Sequence, residues 1–437
     1  MQPENKKHMK KFSLFIVLML LQACNHESEI NSFDNAHVDD IISEYLFLEL
    51  STGLHNKDHV DAYFGSKEIV KTAEEKQIIL NEISDRAEKL SNRIKNTKNK
   101  KLLPKKRIDN LLARILAMKT RIRIIQKEFI SFDDESQLLF GARAPQNDED
   151  YFMGVLKEID ELIPGKEGLA LRVNNFKNQF TIKPEYLEIV FNAAIDECRR
   201  RTLKHIKLPK NERFTLEYVT DKPWSGYNWY QGNSHSIIQI NTDLPIAISR
   251  AVDLGCHEGY PGHHTYNSLI EENLVTSKEW NEYTLFPLYG PQSIIAEGSA
   301  NYGINLAFPD NERIKFEKDV LFKLAKLETK DADRYYKLLE LQNQLNYAGN
   351  EAARRYLDGD ITREQAILWL TKYSLSSSER AKKSTEFYDK YRSYVINYNL
   401  GKDLVESYIE NTSQNDQQRW LNFQELLSRP TLPAELK

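Results

Sequence analysis

Apolar positions recur along most of this chain with a period near 3.6, the spacing of a helix that buries one face. From about residue 67 to residue 129 few breakers interrupt a highly charged background, apart from Leu103-Pro104. Within it Ile108, Leu111, Leu112, Ile115, Leu116, Met118 and Ile122 make one apolar stripe. The helical pattern returns over Glu185–Leu203 and again from Gln292 to the end. Two short runs, Phe214–Val219 and Ser236–Asn241, have the composition and spacing of strands instead. They precede a segment predicted to open a further helix near Asp243 and Pro245. The fold class is therefore mainly α: a large helical fold with a small β element beside one helix. No internal repeat or low-complexity tract breaks the pattern.

The net charge of -4 comes without a basic stripe, which excludes nucleic acid as an expected partner. The run from Lys98 to Lys106 reads as a solvated connection between helices. The N-terminus changes the picture more. Lys6, Lys7, Lys10 and Lys11 precede the apolar run Phe12–Leu21, and Gln22-Ala23-Cys24 follow. That is a secretory leader, with an apolar run too short to span a bilayer. Leu-x-Ala-Cys resembles the bacterial lipobox, in which Cys24 is lipidated and becomes the first mature residue; a start at Met9 gives a more compact leader. The alternative is an ordinary cleaved signal. The predicted division is a lipoprotein signal peptide over 1–23, a tether over 24–35 and one helical domain over 36–437, with sub-domains 36–210 and 211–437 left open. The expected location is the bacterial envelope, lipid-anchored at the periplasmic face of a membrane.

The chemistry concentrates in His257-Glu258-Gly259-Tyr260-Pro261-Gly262-His263-His264. A His-Glu pair followed a turn later by another His places two imidazoles and a general base around one metal ion. Here the position four residues on is Pro261, and the next histidines come six and seven residues after His257. On a straight helix neither shares a metal with His257. Pro261 lacks an N–H and its ring clashes with the carbonyl of residue 257, while Gly259 and Gly262 free the backbone. The sequence thus predicts a bulged helix that loops out about two residues and returns His263 beside His257. Downstream, Glu297 stands among small and apolar residues, Ile294-Ile295-Ala296-Glu297-Gly298-Ser299-Ala300. Small neighbours allow close backbone approach, and a buried carboxylate there needs a partner charge.

The pair HEGYPGHH and AEGSANYG resembles the bacterial domain-of-unknown-function family 885, with its HExxPGHH and later EGxA elements. Further likenesses are His59–Gly65, Pro223–Gly232 and, more loosely, Arg392–Gly401. That family is similar in turn to the thermostable carboxypeptidase family of zinc metallopeptidases. The resemblance implies a helical zinc-peptidase-like fold, with Zn2+ held by His257, His263 and Glu297, and Glu258 as general base. His263 and His264 compete for the second ligand position. Aligning the Gly-His pair favours His263, with His264 facing the substrate or bracing the site.

The expected function is a zinc-dependent hydrolase of the envelope, a metallopeptidase cleaving short peptides or another small amide. Catalysis is expected of Glu258, with His264 or a tyrosine such as Tyr398 or Tyr394 stabilising the oxyanion. The alternatives are a non-catalytic zinc-binding lipoprotein and a hydrolase of another amide or ester, such as a cell-wall fragment. Ser236–Asn241 is a candidate edge strand for an extended peptide. Trp224, Tyr227, Trp229 and Tyr230 read slightly better as packing than as a cleft wall, and His235 as a strand-end hydrogen-bonder. Cys198 and Cys256 read better as buried thiols than as a pair. Nothing in the sequence bears on oligomeric state.

Overall fold

The computed structural model describes residues 38–97 and 103–437. The leader, the tether, Cys24 and part of the Lys98–Lys106 run lie outside them. Helices dominate, as the periodicity predicts. Five short strands, β1 (Val60–Tyr63), β2 (Arg213–Val219), β3 (Gly226–Tyr230), β4 (His235–Asn241) and β5 (Leu285–Pro287), make two small sheets. Among the described residues no helix is long and apolar enough to cross a membrane.

The apolar stripe of the Lys105–Ile125 helix buries Leu111, Ile115, Met118 and Ile122 against the helix at 38–55 and Leu80–Lys95. Leu116 departs from the expectation: one step after Ile115 it turns off the buried face and is 47% exposed. The same helix also buries arginines. Arg107 grips the Glu282 carboxylate at 2.6 Å and Arg114 donates to the Glu282 carbonyl at 2.9 Å. These contacts dock the N-terminal helices onto the segment leading into β5, and β5 pairs antiparallel with β1. The Arg107–Glu282 ion pair thus joins residues 175 apart, and the ladder joins strands still further apart.

In the second sheet the order is β2-β4-β3, with β2 parallel and β3 antiparallel to β4. The expectation that Ser236–Asn241 forms an edge is therefore corrected. This run is the central strand, because its alternate buried residues Ser236, Ile238 and Ile240 face the core while both neighbours pair with its backbone. The edge beside the cleft is β3.

The helix predicted from Asp243 begins at Ser249. Asp243 is held in a turn instead, accepting from the Asp221 N–H at 2.9 Å and from Lys383 at 2.8 Å. The cysteines give a second correction. Cys198 and Cys256 form a disulfide, with Cα atoms 5.5 Å apart. The helix Leu187–Thr202 packs against the turn carrying Cys256, and Gly255 permits the approach, since a Cβ there would lie 3.1 Å from Ile195. That spacing is within bonding range for two cysteines.

Candidate metal centre

Ser249–Leu254 is a regular α-helix that widens to a π turn over Gly255–Gly259, breaks at Tyr260-Pro261-Gly262 and restarts as His263–Ile270. The break is closed by Gly262 N–H donating to the Cys256 carbonyl at 3.0 Å. A Cβ on Gly262 would lie 1.8 Å from the His257 carbonyl oxygen, so only glycine fits. The bulge sets the His257 and His263 rings 4.7 Å apart, edge to face.

Glu297 arrives from the helix Pro291–Ala307, which is buried nearly all round. That helix meets Ile396–Thr412 at Gly298, where a Cβ would lie 2.2 Å from the Gly401 carbonyl oxygen. Glu297 Oε2 lies 3.1 Å from His257 Nε2 and 3.7 Å from His263 Nε2. It is buried, yet none of the described groups completes an aligned hydrogen bond to it. The three ligand atoms lie within 4.8 Å of one another. The His257, His263 and Glu297 group can therefore hold a metal ion: two neutral-capable nitrogens and one carboxylate oxygen converge on a common point. Burial opposes the charge on His263, but Glu297, Glu258 and Asp61 outweigh it and lift the imidazole to about 9. Burial likewise opposes the Glu297 charge, and the two histidines hold that carboxyl below its usual range.

Supporting groups complete the geometry. His257 Nδ1 meets Asn301 Oδ1 at 3.0 Å, leaving Nε2 for the centre, and Asn301 in turn donates to the Tyr398 carbonyl at 2.9 Å. Tyr394 donates to Glu297 Oε1 at 2.7 Å, leaving Oε2 inward. Glu258 is 4% exposed, and its carboxylate makes no hydrogen bond or ion pair to the described residues. Burial raises its pKa, against the pull of His257 and His263. Gly226 of β3 makes room for it, since a Cβ there would stand 2.8 Å from Glu258 Oε1. Tyr398 lies beside His257, ring centroids 6.5 Å apart.

His264 does not join them, and its expected role facing substrate is corrected. It is fully buried on the other side of the helix, with Nδ1 2.8 Å from Ser236 Oγ and Nε2 3.0 Å from Glu212. One residue along a helix turns about 100°, so the bulge that brings His263 inward turns His264 to the sheet. His235 contacts Thr215 at 3.4 Å, away from the cluster.

His257, His263 and Glu297 all line one cleft of about 1250 Å3, whose walls include Glu258, Tyr398 and Tyr394. Trp224, Tyr227 and Trp229 line it too, while Tyr230 is buried and donates to Glu271. Tyr227 donates to Asp61 from the end of β1, a carboxyl that burial pushes up to about 6 against the hydrogen bond from Tyr227. Sequence reasoning missed Asn301, Gly226 and Asp61. Asn301 had a signal, standing four residues after Glu297 on one helix face; the other two are brought in by tertiary contacts alone.

No family model matches the chain, and no curated protein matches it. The likeness to family 885 therefore stays with the motifs that carry it. Among solved structures, a Colwellia psychrerythraea protein designated a lipoprotein shares the fold at TM-score 0.53 and 16% identity, over 81% of this chain and 65% of that one. The chain thus spans under two thirds of that protein's length. BsuCP aligns at TM-score 0.44 and 12% identity, over 91% of this chain and 89% of its own. A Shewanella oneidensis protein designated a lipoprotein of unknown function aligns at TM-score 0.41 and 13% identity, over 84% and 74%.

Proposed function

We propose that this chain is a zinc-dependent hydrolase that cleaves amide bonds of short peptides. The observation that carries the reading is the pairing of a three-ligand cluster with an adjacent, unpartnered, buried carboxylate, Glu258, on the wall of a large cleft. His257, His263 and Glu297 would hold the ion, a donor set that suits zinc with a position left open. Bound zinc supplies a Lewis acid that polarises a carbonyl and acidifies water. Glu258, buried on the cleft wall beside the ligands, would take a proton from water and pass it to the leaving amine. Tyr398, beside His257 on the cleft wall, would donate a hydrogen bond to oxygen as negative charge develops there. Asn301 and Tyr394 orient His257 and Glu297. The leader pattern supports anchoring at the envelope through Cys24, and the Colwellia psychrerythraea protein of similar fold is designated a lipoprotein.

Glu258→Gln tests the reading. It keeps the shape and removes the basic carboxylate. The variant should retain stoichiometric zinc, whereas His257→Ala or Glu297→Ala should lose it by elemental analysis. On a substrate found in a peptide library it should lose about 10²–10⁴-fold in turnover. Wild-type turnover in Glu258→Gln would remove Glu258 from the mechanism. If the zinc-loaded wild type cleaves no peptide, ester or cell-wall fragment, the non-catalytic reading stands in its place.

A further inference from the structure

Two helical turns before His257 the cleft changes character. Arg250 lines it from the same helix, and Arg380 and Lys383 line it from Ser378–Tyr391. Lys383 is paired with Asp243 at 2.8 Å. Arg380 has no such partner among the described residues; its guanidinium reaches only the Pro245 carbonyl, at 3.1 Å. Arg250 lies 3.3 Å from Asp253, but Asp253 is also held by Arg313 at 2.8 Å. Lys177 adds a third cation, bonded to the neutral Gln342 at 3.0 Å. Of Arg250, Arg380 and Lys177, only Arg250 is ion-paired among the described residues, and its partner Asp253 also holds Arg313.

These cations feel each other. Burial, and then the charges of Arg380 and Arg250, push the Lys177 ammonium down to about 8. Arg250 and Arg380 both line the cleft, and the Arg380 guanidinium reaches no carboxylate among the described residues, so an anion entering there meets free donors. The guanidinium is suited to that task because it binds a carboxylate through two parallel hydrogen bonds.

We propose that this corner of the cleft is a subsite for a carboxylate of the substrate, with Arg250 and Arg380 as its donors. The proposal rests on the peptidase reading and narrows it to peptides carrying an anionic group. Seven residues of helix separate Arg250 from His257, roughly 10 Å along the axis. An extended peptide covers that in about three residues, so the carboxylate belongs two to three residues from the scissile bond. It can be the terminal carboxylate of a short peptide or an acidic side chain.

The test reads binding rather than turnover. In the mature chain carrying Glu258→Gln, calorimetry compares trialanine with trialanine amide. It also compares an acetylated, amidated tripeptide bearing a central glutamate with its glutamine counterpart. At least one carboxylate peptide should bind about tenfold or more tighter than its neutral partner, as expected for hydrogen bonds to a charged group. The pair showing the difference identifies the source of the carboxylate. Arg380→Gln, at an exposed position, should reduce the ratio, and adding Arg250→Gln should bring it to one. Equal affinity within both pairs overturns the proposal, as does a ratio that survives both substitutions. A protein that hydrolyses nothing yet shows the ratio refutes the peptidase reading and leaves this subsite standing.

Discussion

Glu212 shows how a single residue far from the cleft holds the centre's rear face. Its carboxylate accepts from Tyr260 at 2.5 Å, from His264 at 3.0 Å and from Arg199 Nε at 3.0 Å. Burial opposes its charge, but these donors outweigh it and bring the pKa from 4.5 to about 2. A carboxylate depressed on folding contributes stability that is complete above its unfolded value and lost as pH falls through the folded one. The window is therefore from 4.5 down to about 2. Glu212→Gln should cost about 1–3 kcal/mol at neutral pH, at the low end because Arg199 is 42% exposed and its share is screened. The gap between wild type and variant should narrow as pH drops below 4.5. Denaturant titrations from neutral pH into acid measure it, and a gap that stays constant would mean that Glu212 is not held as a charge. The same residue explains why His264 misleads. In sequence it is a third imidazole beside two ligands; in the fold Glu212 and Ser236 claim both its nitrogens, and neither is near it along the chain.

At the scale of elements, the departure from HExxH proves informative. Pro261 and two glycines predict an interrupted helix, and the structure interrupts it there with a π turn, a break and a restart. The pattern cannot reveal how the break is closed, because Gly262 N–H to Cys256 carbonyl is a bond between residues that no regular helix pairs. The two glycines are unequal, and that is testable. A Cβ at Gly262 meets the His257 carbonyl at 1.8 Å, a backbone atom that cannot move without opening the bulge, whereas at Gly259 the nearest atom is 3.8 Å away. Gly262→Ala should therefore cost about 1–3 kcal/mol or more and release the metal, while Gly259→Ala should keep both stability and zinc within error. Thermal melts with zinc analysis decide it; a Gly262→Ala protein with wild-type zinc would show the bulge is not what joins the histidines. Helix existence was legible throughout because long periodic segments carry it. The sheet order was not, since β4 reads alike as an edge or a centre until β2 and β3 pair on either side of it. The disulfide was not legible either, because Cys198 and Cys256 meet only through packing of their helices.

Across the whole molecule, the three candidate ligands come from two helical segments, and the cleft wall draws on a third, near β1. Docking of the N-terminal helices through Arg107 and Glu282 fixes β1 beside β5, and so sets Asp61 against Tyr227. The centre is thus a property of the assembled chain, which explains why the motifs show the ligands but not Asp61 or Gly226. The candidate anchor at Cys24 lies before the described residues. A lipid on Cys24 would hold the domain at a membrane surface without any spanning helix. One acyl chain binds a membrane only marginally, whereas several hold it firmly, so a fully modified lipoprotein should partition completely. The full-length wild type should enter the detergent phase and take up a fatty-acid probe. Cys24→Ser should lose the label and appear in the soluble fraction, with zinc content unchanged because the candidate ligands His257, His263 and Glu297 lie far along the chain from it. Wild-type protein found wholly in the soluble periplasmic fraction, unlabelled, would replace the lipobox with an ordinary cleaved signal. The cleft chemistry would stand, acting on peptides in solution rather than at a membrane surface.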